Sequence, residues 1–310
     1  MEQCKEDKDK ALTGGRIMET VERPVPPWID EIPEEAAISY DPTYPTGSYF
    51  DRFNKGSYSG LKYYCYDPTE HGYPKKEDYP LMIFLHGTGN ALVGDLCINY
   101  SGAEMHASDE YQKDIGGAYI LVPVANEVQD ADGNTTGYWD ENYADPIVDL
   151  IEYFIKNHTE GVKEKILLGN SSGARFTFTL AKKYPEKFDI LVPVGTSDIP
   201  EDEILDKLSD LGVTLFYAIC KHDEVFPYET QVAPRIDKIR EMKNSFIFTP
   251  DWTYNGDKGI ASINFGFEIG QHCLMNGVQM NLKFDDGTPM YDSLPRGFTG
   301  WLADELKRRS

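Results

Sequence analysis

The sequence predicts an α/β fold in which a mostly parallel central sheet carries helices on both faces. From about Leu81 onward, short apolar runs alternate with segments whose apolar residues recur at helical spacing. Such apolar runs are typical of strands buried on both faces and therefore of parallel sheets. With 310 residues, of which 40% are apolar and 13% aromatic, the chain is long enough to bury such a core.

The predicted strands are short segments rich in apolar residues, bounded by turn residues. In chain order they are "SGLKYYCYDP", "LMIFLHG", "AYILVPVAN", "KILLGN", "FDILVPVGT", "VTLFYAICKHD" and "SFIFTP". The first shows some alternation of polar and apolar residues. The others are largely apolar, as expected for strands covered on both faces.

The predicted helices separate these strands. In chain order they are "DPIVDLIEYFIKNH", "ARFTFTLAKKYP", "EDEILDKLSDLG", "APRIDKIREMKN" and "LPRGFTGWLADELKRR". In the first, apolar residues such as Ile147, Leu150 and Phe154 share one helix face, and Pro146 stands in the first turn, where proline is favoured. The last ends in basic residues, which the negative end of the helix dipole favours.

The domain organisation follows from a change in composition near residue 36. Residues 1–35 are polar and rich in Glu, Lys and Pro, which predicts a flexible tail or an arm on the surface. Residues 36–310 contain no internal repeat and no linker that would divide them. We therefore expect a single α/β domain over 36–310.

Charge and apolar content narrow the classes of partner. The chain has 30 basic and 52 acidic side chains, a formal net charge of −22, and no stretch that concentrates Lys and Arg. Phosphate binding needs such a basic surface, so nucleic acid is not an expected partner. No segment reaches the roughly 20 apolar residues that span a bilayer. The sequence leaves the oligomeric state undetermined.

The cysteines bear on metal binding and on location. There are five, with no C-x-x-C spacing, which argues against a zinc site and a dense disulfide framework. Cys4 precedes a charged run, as in a bacterial lipoprotein trimmed of its leader. A secreted or surface-tethered protein and a cytoplasmic one both remain open, because an incidental cysteine in a tail explains the pattern equally well.

A serine between two glycines marks the end of one predicted strand. Residues 169–173, Gly-Asn-Ser-Ser-Gly, match Gly-x-Ser-x-Gly between a strand and a helix. The turn is so sharp that side chains at Gly169 and Gly173 would collide. It presents Ser171 at a helix N-terminus, where negative charge is stabilised. Ser172 is the rival nucleophile, but it is out of register with the glycines and is expected to contribute only its N–H.

Nucleophilic catalysis by serine needs a histidine base and a carboxylate that orients the histidine. Asp223 follows the late strand "LFYAIC", and His272 is the only histidine further along the chain. We therefore predict Asp223 and His272 as acid and base. Asp198 after "VPVGT" and Asp251 in "TPDW" are alternative acids, and His222 is expected only to line or support the site.

The segment "FLHGTGN" follows the first buried strand. It is similar to the His-Gly segment of lipases and esterases, in which a backbone N–H contacts the oxyanion. The expected donors are the N–H of Thr88 or Gly87 together with that of Ser172. His86 is expected to be a buried structural histidine.

From about Tyr63 to Leu306 the chain resembles the α/β-hydrolases. Within them, "YPLMIFLHGTGN", "ILLGNSSGARFTFTLAKKYPEKFDILVPVGT" and "CKHDEVFP" resemble polyhydroxybutyrate-depolymerase-like and feruloyl-esterase-like carboxylesterases. The resemblance implies ester hydrolysis with no cofactor and no metal, and a triad of Ser171, Asp223 and His272. Some feruloyl esterases join a cysteine before the nucleophile to one after the histidine. Here Asn170 stands at the first position, so Cys273 has no such partner.

Candidate substrate contacts are aromatic or cationic. The 49 positions from Asp223 to His272 include a glycine-rich aromatic stretch containing Trp252, Tyr254, Phe265 and Phe267. Trp252 is predicted to form one wall of a pocket, Trp139 another, and Arg175 to contact a substrate carboxylate or hydroxyl. Alternatively, the aromatic residues pack on the sheet and Arg175 pairs with an acid.

The favoured hypothesis is a serine carboxylesterase that acts on a small or carbohydrate-linked acyl ester, such as a hydroxycinnamoyl ester, through an acyl-enzyme. One alternative is a serine exopeptidase, because the same fold hosts peptidases. The other is a non-catalytic glycan-binding protein that retains the shape of a hydrolase.

Overall fold

The structure is a computed structural model that describes residues 25–41, 47–129, 133, 135–263 and 269–310. Cys4, Phe265 and Phe267, which the sequence analysis singled out, lie outside these ranges. Of Asp95 only the backbone is described.

The regular elements of the described residues are twelve strands and eight α-helices. The strands are β1 (Ile38–Ser39), β2 (Asn54–Tyr58), β3 (Leu61–Tyr66), β4 (Leu81–Leu85), β5 (Tyr119–Val124), β6 (Val128–Gln129), β7 (Thr135–Thr136), β8 (Lys165–Asn170), β9 (Ile190–Val194), β10 (Thr214–Ala218), β11 (Ser245–Phe248) and β12 (Ile260–Ala261). The helices are α1 (Cys97–Tyr100), α2 (Asp109–Ile115), α3 (Ala144–His158), α4 (Ser172–Lys183), α5 (Asp202–Asp210), α6 (Ala233–Arg240), α7 (Leu274–Gln279) and α8 (Gly297–Arg309).

The central sheet has eight strands in the order β11-β10-β9-β8-β4-β5-β3-β2. The six strands from β11 to β5 run parallel, whereas β3 and β2 are antiparallel to their neighbours. The predicted mostly parallel sheet is therefore confirmed. Its order places β8 between β4 and β9, so the segments that follow these three strands leave the same edge of the sheet.

The core has two halves, one on each face of the sheet. Helices α3, α4, α5 and α6 cover one face and α2, α7 and α8 the other. Alternate residues of each strand therefore enter opposite halves: in β8, Leu167 packs with the first half and Leu168 with the second, and both are fully buried. Truncating such a leucine to alanine typically costs about 2–5 kcal/mol of stability.

Eight elements of the described residues lie outside the predicted segments, namely β1, β2, β6, β7, β12, α1, α2 and α7. Strand β2 forms a hairpin with β3 through Ser59 and Gly60, both at positive φ (49° and 85°). It is a polar edge strand, so its residues lack an apolar pattern. Helices α1 and α7 have only four and six residues, which is too short for helical periodicity to be visible in the sequence.

Residues 25–41, here called the N-terminal arm, pack on the rest of the chain. Strand β1 pairs in parallel with β12 through Ile38 and Ile260, and Trp28 is only 4% exposed. The part of the predicted tail that the structure describes, from Val25 to Glu35, thus contains a buried side chain. Among the described residues, no helix has the length and apolar character needed to cross a membrane.

Candidate active site

The turn between β8 and α4 is built around Ser171. Its backbone has φ 53° and ψ −115°, a conformation that costs a residue with a side chain about 1–3 kcal/mol. A Cβ atom at Gly169 would lie 2.2 Å from the carbonyl oxygen of Gly173, and one at Gly173 would lie 2.1 Å from that of Leu85. The expected sharp turn is present, and both flanking glycines are sterically required.

Asp223 and His272 are in direct contact. Nδ1 of His272 lies 2.9 Å from Oδ2 of Asp223, and the two side chains are 10% and 1% exposed. The other carboxylate oxygen, Oδ1, accepts the backbone N–H groups of Val225 and Phe226, each at 2.9 Å. These bonds fix the carboxylate, and its contact leaves Nε2 of His272 as the ring nitrogen that can accept a proton.

Strand β9 brings the serine and the histidine to the same edge of the sheet. The N–H of Ser171 donates to the carbonyl of Val194 at 3.0 Å. The next residue, Gly195, has φ 72°, and a Cβ atom there would lie 3.4 Å from Cε1 of His272. The imidazole of His272 therefore packs against Gly195. The preceding residue, Val194, is the one that accepts the N–H of Ser171.

The alternative acids have other partners. The carboxylate of Asp198 accepts a hydrogen bond from the guanidinium of Arg175, and that of Asp251 accepts one from Lys221 at 2.7 Å. His222 bonds through Nδ1 to the backbone carbonyl of Asp251 at 2.6 Å. Of the three candidate acids, Asp223 is the one that the structure places against His272.

The segment after β4 lies beside the serine turn. Leu85 pairs with Gly169, and a Cβ atom at Gly87 would lie 3.3 Å from Nδ2 of Asn170. Gly87 is buried and Thr88 exposed. Ser172 is the first residue of α4, where a backbone N–H has no partner within the helix. Of the predicted oxyanion donors, Gly87 and Ser172 thus lie next to Ser171, at the ends of two neighbouring strands.

His86 supports this segment from inside the core. Its Nε2 accepts the N–H of Ala125 at 3.0 Å, so Nδ1 carries the proton and donates to the carbonyl of Gly87 at 2.7 Å. Complete burial lowers the pKa of His86 to about 4, so the ring is neutral at physiological pH. This agrees with the expected structural role.

The two tryptophans predicted to line a pocket are packed against other side chains. Trp139 is 3% exposed, donates its indole N–H to the carbonyl of His86 at 3.0 Å and stacks on Phe176. Trp252 is 8% exposed, with its ring 3.8 Å from that of His222 and 5.4 Å from that of Trp28. A contact between either ring and substrate stays a prediction.

Arg175 is the predicted substrate contact that faces solvent. Its side chain is 60% exposed and lies one helical turn after Ser171, whose carbonyl accepts the Arg175 N–H at 3.0 Å. It borders an open depression of about 430 Å³ that Phe178, Asp198 and Pro200 also line. An exposed cation therefore lies one helical turn from Ser171, and it pairs with Asp198.

Glu224 is a residue that the sequence analysis missed. Its Oε2 accepts the N–H of His272 at 2.8 Å, and its Oε1 accepts the N–H of Gln271 at 3.0 Å and the indole N–H of Trp28 at 3.2 Å. Burial raises its pKa, which the three donors oppose. The available signal was a second carboxylate directly after Asp223 in "KHDEVFP".

The described cysteines are free thiols. Cys220 lies three residues before Asp223, and Cys273 directly follows His272; burial raises the pKa of each thiol to about 12. Both thiols are therefore neutral near the site. Within the described ranges, no group of three or more His, Cys, Asp or Glu side chains is arranged to hold a metal ion.

Comparison with known proteins yields partial similarities, and no family model matches the chain. A 2-(acetamidomethylene)succinate hydrolase from Mesorhizobium japonicum is 32% identical over 135 residues, which are 43% of this chain and 42% of that protein. A thermostable esterase superposes with a TM-score of 0.55 at 16% identity, over 75% of this chain and 61% of that one. A feruloyl esterase module from Clostridium thermocellum, complexed with sinapinate, gives 0.49 at 14% identity, over 86% and 96%.

The coverage and the sequence identity of these matches limit what can be concluded from them. The chain spans 42% of the length of the first relative and 61% of that of the second. At 16% identity a structural likeness shows the fold alone. The fold is that of the α/β-hydrolases, as the resemblance in sequence implied.

Proposed function

We propose that this protein is a serine carboxylesterase that cleaves a small or carbohydrate-linked acyl ester. The observation that carries the proposal is the hydrogen bond between Asp223 and His272, located where the β9 edge also holds the backbone of Ser171. Acyl transfer to serine requires a nucleophile, a base that takes the proton of the nucleophile, and an acid that orients the base.

In the first half of the reaction, Oγ of Ser171 attacks the ester carbonyl carbon and gives its proton to Nε2 of His272. Asp223 stabilises the imidazolium through Nδ1. The carbonyl oxygen becomes an oxyanion that accepts the N–H of Ser172 and that of Thr88 or Gly87. When the C–O bond breaks, His272 returns the proton to the leaving alkoxide, which departs as an alcohol.

In the second half, water attacks the carbonyl carbon of the acyl-enzyme. His272 takes the proton from the water, the oxyanion forms again at the same donors, and the bond to Oγ of Ser171 breaks. His272 then protonates Oγ. The products are a carboxylic acid and the regenerated serine, and every proton moves between Ser171, His272, the water and the alcohol.

The substrate class is argued from the surroundings of Ser171. Arg175 is exposed one helical turn after Ser171, so its guanidinium is available to contact a polar or anionic group of the substrate. The resemblance in sequence to feruloyl-esterase-like enzymes supports hydroxycinnamoyl esters as candidates. Ser171 has the same role whether the ester is hydroxycinnamoyl or carries another acyl group.

The proposal is tested by hydrolysis of p-nitrophenyl esters from acetate to octanoate, and of methyl ferulate. Ser171→Ala should lower kcat by at least about 10³-fold, because nothing else attacks the carbonyl. Ser57→Ala is the matched control, since Ser57 is exposed on β2, four strands from β8. A folded wild type that turns over none of these esters, or a Ser171→Ala variant as active as the control, would overturn the proposal.

A second candidate is hydrolysis of an amide, because one relative is named as a hydrolase of 2-(acetamidomethylene)succinate. The same groups can cleave a C–N bond if His272 protonates the leaving nitrogen. N-acetyl amides that carry carboxylates, assayed beside the esters, separate the two activities. A fluorophosphonate probe that labels neither the wild type nor Ser171→Ala favours a binding protein instead.

A further inference from the structure

One half-buried carboxylate contacts both the loop that carries the base and the N-terminal arm. Glu224 follows the acid Asp223 directly, but its side chain accepts the backbone N–H groups of Gln271 and His272. Its third donor is the indole of Trp28, 196 positions away in the chain. All three partners are N–H donors, which favour the ionised carboxylate and oppose the burial that raises the pKa of Glu224.

We propose that Glu224 is a positioning residue for His272, and that Trp28 of the N-terminal arm holds the Glu224 carboxylate in place. The inference rests on the function proposed above, because it assigns Glu224 to the base of that reaction. It implies that the N-terminal arm is part of the active site although it contributes no reacting group.

The geometry explains why two contacts are needed to place His272. The bond from Asp223 fixes the imidazole at Nδ1, whereas the backbone N–H of His272 is shared between Oε2 of Glu224 at 2.8 Å and the carbonyl of Ile269 at 3.1 Å. Glu224 holds that backbone from the same loop that carries Asp223. The acid and the base therefore keep their separation through two adjacent residues, one acting on the ring and one on the main chain.

The three donors also explain why a carboxylate is required rather than an amide. Oε1 accepts two N–H groups and Oε2 accepts a third. A glutamine has the same shape, but its NH₂ group would face at least one of these N–H donors. Glu224→Gln is therefore expected to lose the hydrogen bonds at one of the two carboxylate oxygens while preserving the packing of the side chain.

The N-terminal arm is attached firmly enough to hold Trp28. The indole is 4% exposed and lies edge-on to Trp252, with the ring centroids 5.4 Å apart. Glu31 bonds to Nε2 of His222 at 2.9 Å, and Ile38 pairs with Ile260. The arm thus contacts both the loop that carries the acid and the segment that precedes the base.

If Glu224 positions His272, its negative charge should affect the pH dependence of kcat/KM. The ionisable groups around His272 are the carboxylates of Asp223 and Glu224 and the thiols of Cys220 and Cys273, whose raised pKa values keep them neutral. His222 lies on the acid loop and pairs with Glu31. Removing the Glu224 charge leaves one carboxylate fewer to stabilise the imidazolium form, so the acidic limb of the kcat/KM profile should move to lower pH.

The test compares Glu224→Gln, Glu224→Ala and Trp28→Phe with the wild type. The matched control is Glu229→Gln, an exposed glutamate five positions along the chain. We measure kcat, KM and the pH profile with p-nitrophenyl acetate, and the rate at which a fluorophosphonate labels Ser171. Circular dichroism confirms that each variant is folded.

Glu224→Gln should lower kcat by about 10- to 100-fold with KM nearly unchanged, because a displaced base impairs the chemical step rather than binding. Trp28→Phe should shift the same parameters in the same direction by a smaller factor, and the control should match the wild type. Should Glu224→Ala fail to fold, Glu224→Gln, which keeps the size of the side chain, still decides the outcome.

The two proposals fail in different ways. A wild type that neither turns over esters nor reacts with the probe refutes the proposed function and the inference with it. A wild type that is active, with Glu224→Gln equal to it in kcat and in pH profile, refutes the inference alone. Equal losses in Glu224→Gln and Glu229→Gln would also overturn it, because a general charge effect would then account for both.

Discussion

Asp223 and His272, 49 positions apart in the chain, are joined by a hydrogen bond of 2.9 Å between Oδ2 and Nδ1. Asp223→Asn should lower kcat for p-nitrophenyl acetate by about 10⁴-fold, because an amide N–H facing Nδ1 forces the wrong imidazole tautomer. Asp198→Asn is the control, since that side chain pairs with Arg175. A comparable loss of kcat in Asp198→Asn, with Asp223→Asn unaffected, would identify Asp198 as the acid instead.

The glycine after the serine turn should not tolerate a side chain. In Gly173→Ala the new Cβ would start 2.1 Å from the carbonyl oxygen of Leu85, so β4 and α4 must separate. We expect a lower melting temperature and loss of ester hydrolysis. Gly277→Ala in α7 is the comparison: its Cβ meets only the side-chain end of Leu282 at 3.3 Å, and alanine favours a helix by up to about 1 kcal/mol. Equal stability of the two variants would contradict this steric argument.

Trp139→Phe separates a structural role from a pocket role. It removes the indole N–H that the carbonyl of His86 accepts, and leaving a buried carbonyl without a partner costs about 1–3 kcal/mol. Urea denaturation should therefore show reduced stability, with Tyr138→Phe, an exposed neighbour, unchanged. Unchanged stability combined with a raised KM would support the original prediction that Trp139 contacts substrate.

Two buried histidines should make stability depend on pH. Burial lowers the pKa of His86 from 6.5 to about 4 and that of His106 to about 3. Between these values and 6.5 the unfolded chain binds more protons than the folded one, so the free energy of unfolding falls as pH drops through this window.

The measurement is urea denaturation at pH 7 and at pH 5. His106→Leu should reduce the difference in midpoint between the two pH values, because His106 is fully buried against Phe84 and Tyr111 and a leucine there cannot titrate. The exposed pair Lys75 and Glu160 offers a control in Lys75→Gln, which should leave the difference unchanged. An equal midpoint difference in His106→Leu and the wild type would be evidence against this source of the pH dependence.

Those parts of the site that depend on neighbouring residues could be predicted from the sequence. The turn at Ser171 is dictated by steric contacts among residues 169–173 and by the strand before it, so its pattern is visible in a short stretch. Asp223 and His272 could be proposed from chain order, but Asp198 and Asp251 remained open as acids. Only their partners in space separate these three carboxylates.

By itself, the sequence determined the parallel sheet, the position of the serine turn and the order of the candidate catalytic residues. Apolar runs and glycine spacing are patterns among residues close in the chain, so they can be recognised in the sequence alone. Only the tertiary structure decided that Trp28 lies behind Glu224, that Glu224 holds the backbone of His272, and that Trp139 bonds to His86. These contacts join residues up to 196 positions apart, and the packing of the whole chain brings them together.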